Sequence, residues 1–169
     1  MEAMQLRVVD AGSTNKNEWG ETMHNQCLYL SLARSYLADQ ARDLVQGTAL
    51  CFKRVMEACA LAAHPEWDKD VIGENSEAFL DFLVYALGED PFLSKFSVAV
   101  LDTESSSAQV FMGRVVPGPA EQRALFLTVL HVAGHFKAAL PRPSMARLTP
   151  DEMLQQLEAL GVAYVTTHC

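Results

Sequence analysis

His24-Asn25-Gln26-Cys27-Leu28-Tyr29-Leu30-Ser31-Leu32 passes from polar, turn-prone residues into a dense apolar stretch within a few positions. The change predicts a helix headed by Cys27, with Tyr29, Ala33, Tyr36 and Leu37 at i, i+4, i+7 and i+8 as its buried face. A thiol at a helix N-terminus meets unpaired backbone N–H groups and the positive end of the helix dipole, which together lower its pKa. Upstream, Leu6-Arg7-Val8-Val9 predicts a first strand, and Asp10 to Gly20 a turn-rich loop leading to Cys27.

Downstream, Val45, Ala49, Phe52, Met56, Cys59 and Ala63 recur at helical spacing and predict a second helix, which makes Cys51 and Cys59 core residues. A third helix opens at Asn75 or Ser76, turns Phe79, Leu80, Leu83 and Leu87 inward and stops at Gly88. The period then changes. Phe96 to Leu101, Gln109 to Val116, Leu125 to His131 and His135 to Leu140 are short runs rich in Val, Phe and Leu. They are separated by a solvated turn over Asp102 to Ser107 and by Pro117-Gly118-Pro119, as successive strands are. Thr149-Pro150-Asp151-Glu152 carries an N-cap threonine, a proline at the first helical position and a glutamate at the third. Met153, Leu154, Leu157 and Leu160 follow before Gly161, and Val162 to Thr167 predicts a closing strand. Helices first and strands after, without repeats or a linker, make the class α+β in a single domain over residues 1–169.

Thirteen basic against twenty-one acidic residues give a net charge of −8, and no basic stripe is present to track phosphates, which argues against nucleic acid as a partner. No apolar run approaches the roughly 20 residues that span a bilayer. The N-terminal residues lack a secretory pattern, which points to the cytoplasm. Four cysteines without a CxxC pair indicate neither a metal site nor a disulfide framework, and no cofactor motif occurs. His131 and His135 stand four apart, but no glutamate follows His131 and Gly134 interrupts any helix, so a zinc-protease arrangement is excluded.

Cys27 and His135 are the residues with nucleophilic and acid–base chemistry in suitable local settings. A thiolate is strongly nucleophilic once formed, so a histidine need only hold the anion and later protonate a leaving amine. The plainer alternative makes Cys27 a small buried hydrophobe and His135 a satisfied strand histidine.

These two segments resemble, in order, the two motifs of the ovarian tumour (OTU) family of cysteine proteases, most of which are deubiquitinases. The first, Asp-Gly-x-Cys followed by Leu, an aromatic residue and a helix, is matched from the cysteine onward by Cys27-Leu28-Tyr29-Leu30-Ser31-Leu32. The second, a strand, a glycine-containing turn and His-aromatic, corresponds to Leu127 to Leu130, Gly134, His135-Phe136, Leu140 and Pro141. The resemblance implies a papain-type fold with a central, mostly antiparallel sheet flanked by helices. It also implies a monomeric isopeptidase acting on ubiquitin or polyubiquitin, in a host cytoplasm if the chain belongs to a pathogen. Cys27 would attack the carbonyl of the C-terminal glycine, and His135 would protonate the departing lysine. The loop of His24, Asn25 and Gln26 would shape the oxyanion and substrate site, and Phe136 would wall a channel for two glycines. Trp19 is a second candidate wall, although packing is the commoner role of a tryptophan.

The sequence departs from the pattern at three places. His24 replaces the aspartate three before the cysteine, Asn25-Gln26 replaces Gly-Asn or Gly-Asp, and Lys137 occupies the position of the acid or amide that orients the histidine. Some relatives take an acid from the N-terminal segment, which makes Asp10 a candidate third member. Asn25 is another, and a Cys–His dyad is a further arrangement. Two other readings stay open: a catalytically silent relative that binds ubiquitin or another protein, and a papain-like protease for another glycine-ended tail.

Overall fold

A computed structural model describes residues 4–67, 76–115 and 118–169, with the side chains of 76–82 left aside. The predicted N-cap Asn75, the strand end Val116, Pro117, and the inward side chains of Phe79 and Leu80 lie outside the described residues. The chain runs β1 (Leu6–Val9), β2 (Asn15–Lys16), β3 (Thr22–Met23), α1 (Cys27–Leu37), α2 (Arg42–Ala63) and α3 (Ser76–Glu89). It continues through a 3-10 turn (Leu93–Lys95), β4 (Ser97–Asp102), β5 (Ser107–Met112), α4 (Pro119–Ala124), β6 (Phe126–Val132), β7 (His135–Pro141), α5 (Pro150–Ala159) and β8 (Ala163–His168).

Six strands form one sheet in the order β1-β7-β6-β4-β5-β8, and β2 pairs with β3 as a separate hairpin. The junctions β1–β7, β7–β6 and β4–β5 are antiparallel, whereas β6–β4 and β5–β8 are parallel. The sheet is therefore mixed, with antiparallel junctions in the majority. Parallel neighbours need a crossover connection, and the segments containing α4 and α5 provide one each. The predicted α+β class stands in this form, a mixed sheet with helices on both faces.

Alternation along the strands sends Val98 and Val100 to the face covered by α1, α2 and α3, and Ala99 and Leu101 to the face covered by Met153 and Leu157 of α5. Thr149 caps α5 as its sequence predicts, its side chain accepting the Glu152 N–H. In α2 the buried stripe is Val45, Ala49, Phe52, Met56 and Ala60. Cys51 is consequently exposed and Cys59 half-buried, not core. Cys169 is half-buried against the core, with its N–H donated to the Met112 carbonyl at 3.1 Å.

Helix α1 departs most from its one-sided prediction. Every residue from Cys27 to Ala33, and Ser35, is buried, while Tyr36 and Leu37 are only half-buried. The helix lies between α2 and strands β6 and β7, so almost its whole circumference meets protein. Ser35 Oγ accepts the buried Thr128 N–H at 3.0 Å, tying α1 to β6 just before the β6–β7 register begins at Val129. The hydroxyl of Ser31, one turn earlier, is buried with no hydrogen-bond partner among the described residues.

These two serines make a paired test of the packing. Ser35→Ala strands a buried N–H and should lower unfolding free energy in urea titration by about 1–3 kcal/mol, whereas Ser31→Ala removes a polar group without a partner and should cost little or raise stability. Equal losses at both positions would contradict the assignment.

Candidate active site

Strand β1 ends at Asp10, in an Asp10-Ala11-Gly12 turn. Asp10 Oδ1 accepts the Gly12 N–H at 2.9 Å, an arrangement for which aspartate two residues before a glycine at φ +88° is suited. Strand β7 begins at His135, directly after a two-residue turn in which Ala133 and Gly134 both have positive φ, 50° and 78°. Positive φ at both central residues matches the right-handed twist of a hairpin. Antiparallel pairing of β1 and β7 sets Val9 opposite Ala138. One step further Asp10 falls opposite Lys137, and His135 becomes its diagonal neighbour. There His135 Nε2 lies 3.1 Å from Asp10 Oδ1.

The Gly12 N–H, then the bond to His135, then the charges of His135 and Lys137 hold the Asp10 carboxyl below the usual carboxylate range. Asp10 is therefore ionised throughout the neutral range, and its interaction with His135 is lost only as pH falls through that lowered value. With Nε2 facing a carboxylate, the neutral ring carries its proton on Nε2 and leaves Nδ1 as an acceptor.

Cys27 heads α1 and is 5% exposed. The backbone N–H groups of Phe136, Leu28 and Cys27 itself favour the thiolate. Burial outweighs them, and the Asp10 charge adds to it, so the thiol pKa is raised above its ordinary value. This reverses the lowering anticipated from the helix N-terminus alone. No hydrogen bond joins the thiol to the His135 ring among the described residues.

The preceding loop is locked to the Asp10 loop. Gln26 N–H donates to the Ser13 carbonyl at 2.8 Å, and its side-chain amide donates to the His24 carbonyl at 2.8 Å. Gln26 is 3% exposed, so its side chain braces the loop and does not face a substrate. Asn25 is exposed and left-handed, φ 58°, and His24 is exposed. The Phe136 ring, 1% exposed, stacks on His131 with centroids 4.7 Å apart. It is core and not a channel wall, while the Phe136 backbone N–H favours the Cys27 thiolate. Trp19, at 75% exposure on the β2–β3 hairpin, is not a packing residue.

Thus Cys27, His135 and Asp10 are gathered at one end of the sheet, with His24 and Asn25 at its rim. Sequence reasoning missed the brace from Gln26 to Ser13 and the left-handed Ala133; the Asp-x-Gly spacing was the readable signal for the Asp10 turn. Among the described residues no three His, Cys, Asp or Glu side chains cluster as a metal centre requires. No helix among them is long and apolar enough to cross a membrane.

No family model matches the chain, and no curated protein or solved structure matches it at a significant level.

Because the Asp10 charge raises the Cys27 pKa, Asp10→Asn should lower it. Ultraviolet titration of the thiolate in a Cys51→Ser, Cys59→Ser, Cys169→Ser background should find the Cys27 midpoint above the ordinary thiol range, and lower in the Asp10→Asn protein. An unchanged or higher midpoint would show that Asp10 does not act on the thiol.

Proposed function

We propose that the chain is a cysteine isopeptidase of OTU type that cleaves after the C-terminal glycine of ubiquitin. The observation that supports this reading is the 3.1 Å contact of His135 Nε2 with Asp10, on the strand whose next residue, Phe136, has a backbone N–H that favours the Cys27 thiolate. In this scheme His135 Nδ1 takes the Cys27 proton, and the sulfur attacks the glycine carbonyl. The oxyanion is received by backbone N–H groups at the start of α1; the Gln26 N–H, already given to Ser13, takes no part. His135 then protonates the lysine amine as the C–N bond breaks, leaving a thioester. A water that gives its proton back to His135 hydrolyses the thioester and frees both ubiquitin and Cys27. Asp10 keeps the ring oriented and stabilises the imidazolium, taking the place that Lys137 cannot fill. The proposed place of action is the cytoplasm.

The burial and raised pKa of Cys27 favour a second reading, a silent relative that binds ubiquitin without cleaving it. A catalytic reading requires that substrate displace the cover over the thiol and bring the two side chains into contact, as apo sites often tighten only on binding.

Ubiquitin carrying a C-terminal electrophile separates the two. The isopeptidase should give a covalent adduct by intact mass, none with Cys27→Ala and far less with His135→Ala; Asp10→Asn should slow turnover of a ubiquitin amide by about 100-fold or more. A folded wild-type protein that binds ubiquitin but forms no adduct would establish the silent binder instead.

A further inference from the structure

A groove of about 470 Å³ starts at the Asp10–Gly12 turn and runs between β1 and the pair α1 and α2. Arg7, Arg34 and Arg42 line it over a floor that includes Leu30. Arg34 Nη1 donates to the Ala38 and Gln40 carbonyls at 2.7 and 2.8 Å, so neutral groups hold this guanidinium in place. Arg7 is met by Asp39 through bonds of 2.9 and 2.7 Å, and Arg42 makes no hydrogen bond or ion pair among the described residues. Asp39 and Asp10 are the acids of the groove, and Asp10 is engaged by His135 and drawn to Lys137. Three guanidiniums against the carboxylates of Asp39 and Asp10 leave one positive charge in excess, in a chain whose net charge is −8.

We infer that this groove receives acidic side chains of a polypeptide substrate, on the segment that carries the leaving amine. The inference rests on the isopeptidase reading. His135 delivers a proton to the leaving amine, so the leaving segment departs past His135, and Asp10, which holds that histidine, is also a lining residue of the groove. Arg34 stands seven residues beyond Cys27 on α1, about 10 Å along the helix axis, a length spanned by about three extended residues. A guanidinium fixed in advance binds carboxylate with little further ordering, and bidentately where both N–H groups are free. The groove therefore selects acceptor lysines with aspartate or glutamate about three residues away.

Binding to the Cys27→Ala protein tests this without any need for catalysis. The probe is a fluorescent peptide whose lysine is flanked by glutamates, beside the same peptide with glutamines, read by anisotropy. The glutamate peptide should bind, lose affinity with added salt, and bind about fivefold or more weakly to Arg34→Gln. The same loss in Arg42→Gln, which removes no internal hydrogen bond, guards against a folding defect at Arg34. Equal binding of the two peptides, no binding of either, or unchanged affinity in Arg42→Gln would overturn the proposal. So would displacement of the peptide by low concentrations of inorganic phosphate, which would mark a small-anion site. Intact peptide selectivity in a protein that forms no ubiquitin adduct would remove the catalytic reading and leave the preference of the groove supported.

Discussion

The antiparallel pairing of β1 with β7 governs the candidate site. Its register brings the end of one strand beside the start of another 125 residues away, and with them Asp10 and His135. A slip of one residue would turn His135 and Lys137 to the opposite face and send Phe136 out of the core. The apolar partners of β7 resist that slip, because Phe136 is buried against α1 and Ala139 against the α5 side. The same strand carries Phe136, whose backbone N–H favours the Cys27 thiolate, so one sheet contact bears on both His135 and the candidate nucleophile.

Local strain accompanies this arrangement. Two residues before Cys27, Asn25 is left-handed, and two residues before His135, Ala133 is left-handed. Asparagine tolerates that conformation, but alanine does so at a cost of about 1 kcal/mol or more. At Ala133 the cost is tolerated because the hairpin twist demands positive φ there and strands β6 and β7 pair on either side. The Gln26–Ser13 bond has a similar effect on the other loop, joining the segment before Cys27 to the segment after Asp10. Two tight turns and one cross-loop bond thus limit how far the three side chains can drift apart.

Features with local causes were legible in the sequence. The helix start at Cys27, the capped helix at Thr149 and the strands around Val98, Val129 and Ala138 depend on neighbouring residues, and each lies where its pattern indicated within a residue or two. The short helix Pro119–Ala124 is not distinguished in the sequence, because Gly118-Pro119 carries a helix-start signal and reads equally as a turn. Long-range choices were not legible. Asp10 and Asn25 stood as alternative third members, and only the β1–β7 register places Asp10 on the ring. The full burial of α1 was likewise hidden, since an apolar stretch does not say how many neighbours surround it. Nor could a helix dipole reveal that burial would dominate the Cys27 pKa.

The contrast between Cys27 and Cys51 sets the response of the protein to oxidants. Peroxide attacks thiolate, and needs access to it. Cys27 is covered and kept protonated by burial, whereas Cys51 stands exposed on α2. Oxidative stress consequently reaches Cys51 first, and the candidate nucleophile survives as a thiol until something opens the site above it.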